Sequence, residues 1–168
     1  PLQRRHTTTQ PHQPSTPLLG HQGDDSGVLN VRRLGAVGDG LADDTAAIQH
    51  ALELAERSSP PPMLLFPAGD YRVSATLNIS CHATDITLSG YQATLVAYVN
   101  GPTLSIGDAV TPHASARRIT VLGLAFRSQG PSNPVAQPQH ATIKYPQAVA
   151  IRVQAVVGLF LRDLYVSQ

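Results

Sequence analysis

Two linked stretches decide the fold: Val28-Leu-Asn-Val-Arg-Arg-Leu-Gly-Ala-Val-Gly-Asp-Gly-Leu-Ala-Asp-Asp-Thr-Ala-Ala-Ile-Gln49 and Met63-Leu-Leu-Phe-Pro-Ala-Gly-Asp-Tyr-Arg-Val73. A short extended run, Leu29-Asn-Val31, leads into a loop from Gly35 to Ala42. Gly35, Gly38 and Gly40, with Asp39 between the last two, suit a tight turn that needs positive φ. The loop is not a nucleotide cradle. It lacks Gly-Lys-Ser/Thr, and it lacks a Gly-x-Gly-x-x-Gly fingerprint on a strand-to-helix turn. Asp43 or Asp44 is placed to cap a helix over Thr45 to Arg57 by accepting a backbone N–H. Its charge also suits the positive end of the helix dipole. Ile48, Ala51, Leu52 and Ala55 form the apolar stripe, with Gln49, His50, Glu53 and Glu56 outside it. Ser58-Ser-Pro-Pro-Pro62 stops the helix. Met63-Leu-Leu-Phe66 has no polar alternation, as in a strand buried on both faces. Pro67-Ala-Gly69-Asp70 then turns the chain into short strands at Tyr71-Arg-Val73 and Thr76-Leu-Asn-Ile79.

Downstream, a pattern of alternating apolar residues and a turn residue repeats. It occurs at Ile86-Thr-Leu-Ser-Gly90, at Ile119-Thr-Val-Leu-Gly123 and at Leu159-Phe-Leu-Arg-Asp163. The spacings are 33 residues (86 to 119) and 40 residues (119 to 159). Shorter strands fit between, at Thr94-Leu-Val96, Leu104-Ser-Ile106 and Ile151-Arg-Val153. Many short strands, a recurring turn and loops of uneven length predict the coils of a β-solenoid, each burying its inward residues against its neighbours. Gly90, Gly123 and Asp163 then share one corner, where a left-handed conformation suits Gly and is tolerated by Asp. The amphipathic helix is the expected cap of the open end.

Bulk composition narrows the partners. A net charge of +1 with 14% charged residues argues against nucleic acid, which requires a dense basic footprint. Arg outnumbers Lys eleven to one, which reads as codon bias. No run of 18 apolar residues exists to span a membrane. The single cysteine, Cys81, rules out an internal disulfide and reads as a small buried residue. Trp is absent, which leaves Tyr91, Tyr98, Tyr145 and Tyr165 as possible stacking platforms for a sugar. Residues 1–27 are rich in Gln, Thr, Pro, His and Ser and predict a disordered arm, with His6, His12 and His21 solvated rather than metal-bound. A chain that starts at Pro1 reads as a processed product or a fragment. Residues 28–168 then form the N-terminal part of a larger solenoid domain.

Two insertions, Gly107 to Arg118 and Arg127 to Gln147, break the repeat. The second carries His140, Lys144 and Tyr145 and is a candidate groove wall. Asp70, Asp85, Asp108 and Asp163 are the carboxylates expected within the solenoid, with no two at matching positions on neighbouring coils. Glycosidic hydrolysis needs such a pair. Asp163, Arg162, Arg152, Lys144 and Tyr145 remain as weak groove candidates, with Arg152 and Arg162 pointing outward by strand alternation. No metal cluster or nucleophilic triad emerges, and Asn78-Ile-Ser80 is a bare glycosylation sequon.

The ordered motif Gly35-Ala-Val-Gly-Asp-Gly-Leu-Ala-Asp-Asp-Thr45 … Phe66-Pro-Ala-Gly-Asp-Tyr71 resembles the N-terminal signature of the pectate-lyase superfamily. More narrowly, it resembles the domain shared by rhamnogalacturonases, mannuronan epimerases, polygalacturonases, fungal exo-β-glucanases and phage tailspikes. The resemblance covers about residues 29 to 106; beyond 119 only the coil pattern matches. It implies an all-β fold: a right-handed, single-stranded parallel β-helix with an N-terminal capping α-helix. It also implies a secreted protein whose partner is polysaccharide. A glycoside hydrolase or polysaccharide lyase is the first expectation. A non-catalytic carbohydrate-binding or spike-like module and a uronic-acid C5 epimerase are the alternatives. Calcium is implied only if the full-length protein is a lyase or epimerase. The family's catalytic motifs (Asn-Thr-Asp, Asp-Asp and Gly-His-Gly, or Asp-Pro-His) have no match, so no catalytic residue carries over. A solenoid that ended on Tyr165-Val-Ser-Gln168 would expose strand edges. Further β-helix coils C-terminal to Gln168 are therefore the expected partner.

Overall fold

The computed structural model describes residues 27–107, 114–128 and 149–167. The expected N-terminal arm, except Gly27, lies outside them. So do Asp108, His140, Lys144 and Tyr145. The described residues form eleven strands and one α-helix: β1 (Val28–Asn30), β2 (Asp39–Asp43), α1 (Thr45–Arg57), β3 (Met63–Leu65), β4 (Gly69–Val73), β5 (Leu77–Ile79), β6 (Thr87–Ala97), β7 (Pro102–Ile106), β8 (Ala116–Ser128), β9 (Val149–Val153), β10 (Val156–Arg162) and β11 (Tyr165–Ser167). A 3-10 turn, Val31–Leu34, follows β1.

Every strand pairing is parallel, and the strands fall into three rows. The first row runs β1, β3, the start of β6, the start of β8, then β10. The second runs β2, β4, the end of β6, the end of β8, then β11. The third runs β5, β7, β9. Because β6 and β8 pass through both, the first two rows merge into one eight-stranded sheet beside a three-stranded one. The chain visits the rows in the same order on each pass. On the first pass α1 takes the place of the third-row strand.

Strand alternation and parallel register together build the core. Leu64, Leu88, Val121 and Leu161 stack in one column, as do Tyr71, Leu95, Phe126 and Val166. Leu77, Leu104 and Ile151 stack in the third row, beside Ile79, Ile106 and Val153. All but the last member of each column are buried, and full burial of such a side chain contributes about 1.5–3 kcal/mol. The last members differ. Val153 is 42% exposed, Leu161 43% and Val166 67%, although each stands in register with a buried partner. Among the described residues no strand pairs with the outer edges of β9, β10 or β11.

At the other end α1 packs its stripe of Ile48, Ala51, Leu52 and Ala55 into the core and makes contacts with β5, β3 and the 3-10 turn. It also seals a strand edge. The Gln49 amide accepts from Asn78 N at 2.9 Å and donates to Asn78 O at 3.2 Å, while Glu56 Oε1 accepts from Ser80 N at 2.9 Å. Side chains therefore satisfy the edge of β5 as a neighbouring strand would.

Four sequence expectations change. The glycine-rich loop contains a strand, β2, joined irregularly to β4 through Asp39–Asp70 and Asp43–Arg72. Met63 and Leu65 are only half-buried, so β3 is covered on one face rather than both. The first strand ends at Asn30, whose side chain accepts from Arg32 N and starts the 3-10 turn. At the shared corner Gly123 and Asp163 are left-handed (φ 65 and 54), but Gly90 is not; Gln92 (φ 58) takes that conformation instead. The cause is a bulge. Ser89 pairs with Leu122 and Ala93 with Leu124, so Gly90, Tyr91 and Gln92 face Gly123 alone. Gly90 is required for packing: a Cβ there would stand 2.4 Å from Leu124 Cδ2.

Candidate functional site

The residues of the signature motif meet at one place, the junction of β2, α1 and β4. Asp44 is the helix N-cap by position, yet its side chain makes no capping bond. It turns back, is 1% exposed, and accepts from Val37 N at 2.6 Å and Gly38 N at 3.1 Å. Of the two aspartates that the sequence offers as caps, Asp43 is the one whose side chain accepts from the helix: its Oδ1 receives Thr45 N at 3.1 Å. Asp43 also accepts the hydroxyls of Thr45 and Ser74 at 2.5 Å each. Gly38 and Gly69 are pressed together. Asp70 N donates to Gly38 O at 3.1 Å, and a Cβ on Gly69 (φ 155) would meet that oxygen at 2.5 Å. Tyr71 lies beneath them with its ring edge-on to Phe66 at 5.8 Å, and its hydroxyl donates to Pro67 O at 2.8 Å. Arg32 covers the ring at 5.9 Å and donates to Ala68 O. Gly35 terminates the 3-10 turn in a left-handed conformation, and Gly40 (φ 76) lies over Asp70.

The outer face of the second row carries the densest set of charged groups. Asp39 and Asp70 are register partners on adjacent strands, and Asp43 is the partner of Arg72. The expectation that no carboxylates match across coils left out Asp39, because that residue was assigned to a loop. Arg127 reaches across β6 to bind Asp70 Oδ2 at 2.6 Å. Arg72 lies over the Tyr98 ring at 4.7 Å and donates to Leu41 O at 3.1 Å. Val96 stands between the two arginines in register and is buried, though it faces outward.

These carboxylates are committed. The backbone N–H groups of Ala42 and Leu41 hold Asp39 below the usual carboxylate range, against a small opposing effect of burial. Partial burial raises Asp43, but the Ser74 and Thr45 hydroxyls, the Thr45 N–H and the Arg72 charge together bring it below the ordinary value. Neither is a proton donor at neutral pH. Burial is the main influence that pushes the Tyr71 hydroxyl up, with Arg32 opposing it. On the neighbouring corner Arg118 binds Asp85 through two of its guanidinium nitrogens, Nε and Nη2, and lowers its pKa. The face is therefore an interlocked guanidinium–carboxylate surface that can hold its shape and offer hydrogen bonds. Calcium takes six to eight oxygens; here Asp39 Oδ1, both Asp43 oxygens and Asp70 Oδ2 already accept from protein donors. Among the described residues no three His, Cys, Asp or Glu side chains converge.

The expected groove residues do not form one cluster. Arg162 and Asp163 share the corner after β10, exposed and 3.3 Å apart. Arg152 is exposed on β9 in a different row, paired in register with Ser105. Lys144 and Tyr145 lie outside the described residues. A shallow concavity of about 500 Å³ opens beside α1, lined by Asp43, Thr45, Gln49, Ser74, Thr76 and Asn78 among others. Asp43 already holds the two hydroxyls there. Sequence reasoning missed Asp39–Asp70–Arg127 and the Gln49–Asn78 pairing, because only strand register brings those residues together.

Comparison with known proteins agrees with this placement. Residues 28–111 match the family model described as rhamnogalacturonase A/epimerase, pectate lyase-like. Mannuronan C5-epimerase AlgE1 of Azotobacter vinelandii is 37% identical over 90 residues, a match covering 48% of this chain and 6% of that protein. Among solved structures, ORF18 of Geobacillus virus E2 superposes with a TM-score of 0.62 at 18% identity, covering 82% of this chain and 25% of that one. PfbA, a surface adhesin of Streptococcus pneumoniae, gives a TM-score of 0.62 at 20% identity, covering 83% and 33%. These two likenesses concern the fold alone. The matched region contains the Gly38–Gly69 contact, the Asp44 lock and Tyr71, and the chain belongs to the rhamnogalacturonase A/epimerase family of pectate lyase-like proteins.

Proposed function

We propose that this chain forms the N-terminal coils of a right-handed, single-stranded parallel β-helix that handles an extracellular polysaccharide built of uronic acids. The observation that carries the reading is the family match over residues 28–111, joined by the 37% identity to a mannuronan C5-epimerase. Right-handedness follows the strong chiral preference of parallel crossovers. In this reading α1 closes one end, and a further parallel coil, C-terminal to Gln168, covers Val153, Leu161 and Val166 at the other.

The chemistry belongs to those further coils. Epimerisation at C5 and lyase elimination both start with removal of the C5 proton by a base, and both need the resulting anion stabilised. Hydrolysis needs one carboxyl that is protonated. Asp39 and Asp43 are held below the ordinary carboxylate range by their donors, and Asp70 is bound to Arg127. The same commitment of their carboxylates favours a second reading, a polysaccharide-binding module without turnover.

The test is to incubate the chain with polymannuronate, polygalacturonate and a neutral glucan. Inversion is followed by proton NMR, elimination by ultraviolet absorbance of unsaturated ends, and hydrolysis by reducing ends. The expected result is binding to a uronate polymer without turnover. Turnover of any kind refutes the placement of the chemistry, and absence of binding refutes the polysaccharide reading.

A further inference from the structure

We infer that Tyr91 is a stacking plate for a sugar ring, set at the corner between the first and second rows; this rests on the polysaccharide reading above. Three observations converge there. First, β6 carries two more residues than β8 at this point, and the surplus projects Tyr91 outward until it is 81% exposed. Second, the projection is held by Gln92 in a left-handed conformation (φ 58), which is unfavourable for a non-glycine residue. Bulges of this kind re-aim side chains, and strained backbone concentrates at working sites. Third, the opposite strand packs tightly against the backbone of the bulge and so fixes its position. Gly123, opposite the bulge, has no side chain, and its Cβ position lies 3.1 Å from Gly90 O and 3.7 Å from Tyr91 N.

One coil further on, Arg162 and Asp163 stand at the same corner, exposed and paired at 3.3 Å. Two strand spacings separate them from Tyr91, roughly 10 Å, which is the reach of a disaccharide. An aromatic face accepts the C–H face of a pyranose, and the ion pair offers donors and an acceptor to the hydroxyls or carboxylate of the next ring. The occupant is thus a uronate oligosaccharide lying along the stack of strands, with one ring on Tyr91 and its neighbour beside Arg162 and Asp163.

The test uses the whole chain and oligomannuronate or oligogalacturonate as probe, read by isothermal titration. Tyr91→Ala is expected to weaken binding about 2- to 13-fold, the range that an aromatic contact of this class supplies, with an unchanged melting temperature because the side chain is exposed. Tyr91→Phe keeps the face and is expected to bind within about twofold of the parent. Tyr91→Trp introduces the only tryptophan of the chain, and its emission is expected to shift on binding. Equal binding by the parent and Tyr91→Ala overturns the plate and leaves the polysaccharide reading standing. So does a Tyr91→Phe loss as large as that of Tyr91→Ala, or an unmoved tryptophan spectrum in the presence of binding. If the parent binds none of the probes, both the plate and the polysaccharide reading fall.

Discussion

Replacing Asp44 by Ala should be among the most costly single changes near the signature motif. The carboxylate is buried and receives Val37 N at 2.6 Å and Gly38 N at 3.1 Å. Hydrogen bonds to a charged acceptor contribute about 1.5–3 kcal/mol each. Losing both would cost about 3–6 kcal/mol; relief of the carboxylate's own desolvation brings the expected loss to about 3–4 kcal/mol. In a chain of this size that is a fall of roughly 6–16 °C in melting temperature. The backbone bonds of Asp44, to Arg72 O and from Ile48 N, survive the substitution, so the loss isolates the side chain. Urea unfolding followed by circular dichroism gives the free energy, and hydrogen exchange at the amides of Val37 and Gly38 gives the locality. Asp43→Ala is the control, since its partners are exposed; it should cost about 0.5–2 kcal/mol as a lost cap. If Asp44→Ala costs no more than Asp43→Ala, or if those two amides exchange no faster, the lock assigned to Asp44 is wrong.

Other outcomes follow from the same geometry. Gly69→Ala forces a Cβ against Gly38 O at 2.5 Å and should destabilise by more than the ~1 kcal/mol of an ordinary unfavourable backbone substitution; a Tm within a degree of the parent would contradict this. Asp43 has a folded pKa below the ordinary carboxylate value of 3.8, so the unfolded chain binds more protons in that range. Its stabilisation is present above pH 3.8 and disappears as pH falls through the lower folded value. Asp43→Asn should flatten the acid limb of a stability–pH curve there, and an identical limb would count against the network. Gln49→Ala combined with Glu56→Ala frees the edge of β5. Sedimentation velocity should then show more self-association than the parent at the same concentration, and an unchanged profile would mean that those side chains do not guard the edge.

Legibility from sequence varied with the range of the interaction. The helix Thr45–Arg57 was readable in full because its stripe and its proline stop are local signals. The column of Ile119 and Leu159 was readable because alternation repeats and register follows it. β2 was hidden because glycines favour turns, and only pairing with β4 extends them. The choice between Asp43 and Asp44 as the cap stayed open in the sequence, because nothing local shows that the chain has returned the amides of Val37 and Gly38 to Asp44. The corner was located by residue type, but its left-handed member slipped from Gly90 to Gln92, because a bulge changes the count without changing the pattern. Arg127 and Asp70 lie 57 residues apart, and no composition or spacing announces their pairing.

The sealed edge of β5 gives the molecule a direction in time. Gln49 and Glu56 meet Asn78 and Ser80, so the closed end is complete within about thirty residues of α1. That is a short loop to close, and it costs little chain entropy. From then on each new pass finds a finished edge waiting and needs to order only itself. Folding that propagates from one nucleus along a row of nearest neighbours is expected of such stacks. A nucleus formed at this sealed end would propagate toward the C-terminus, in the order in which a ribosome delivers the chain.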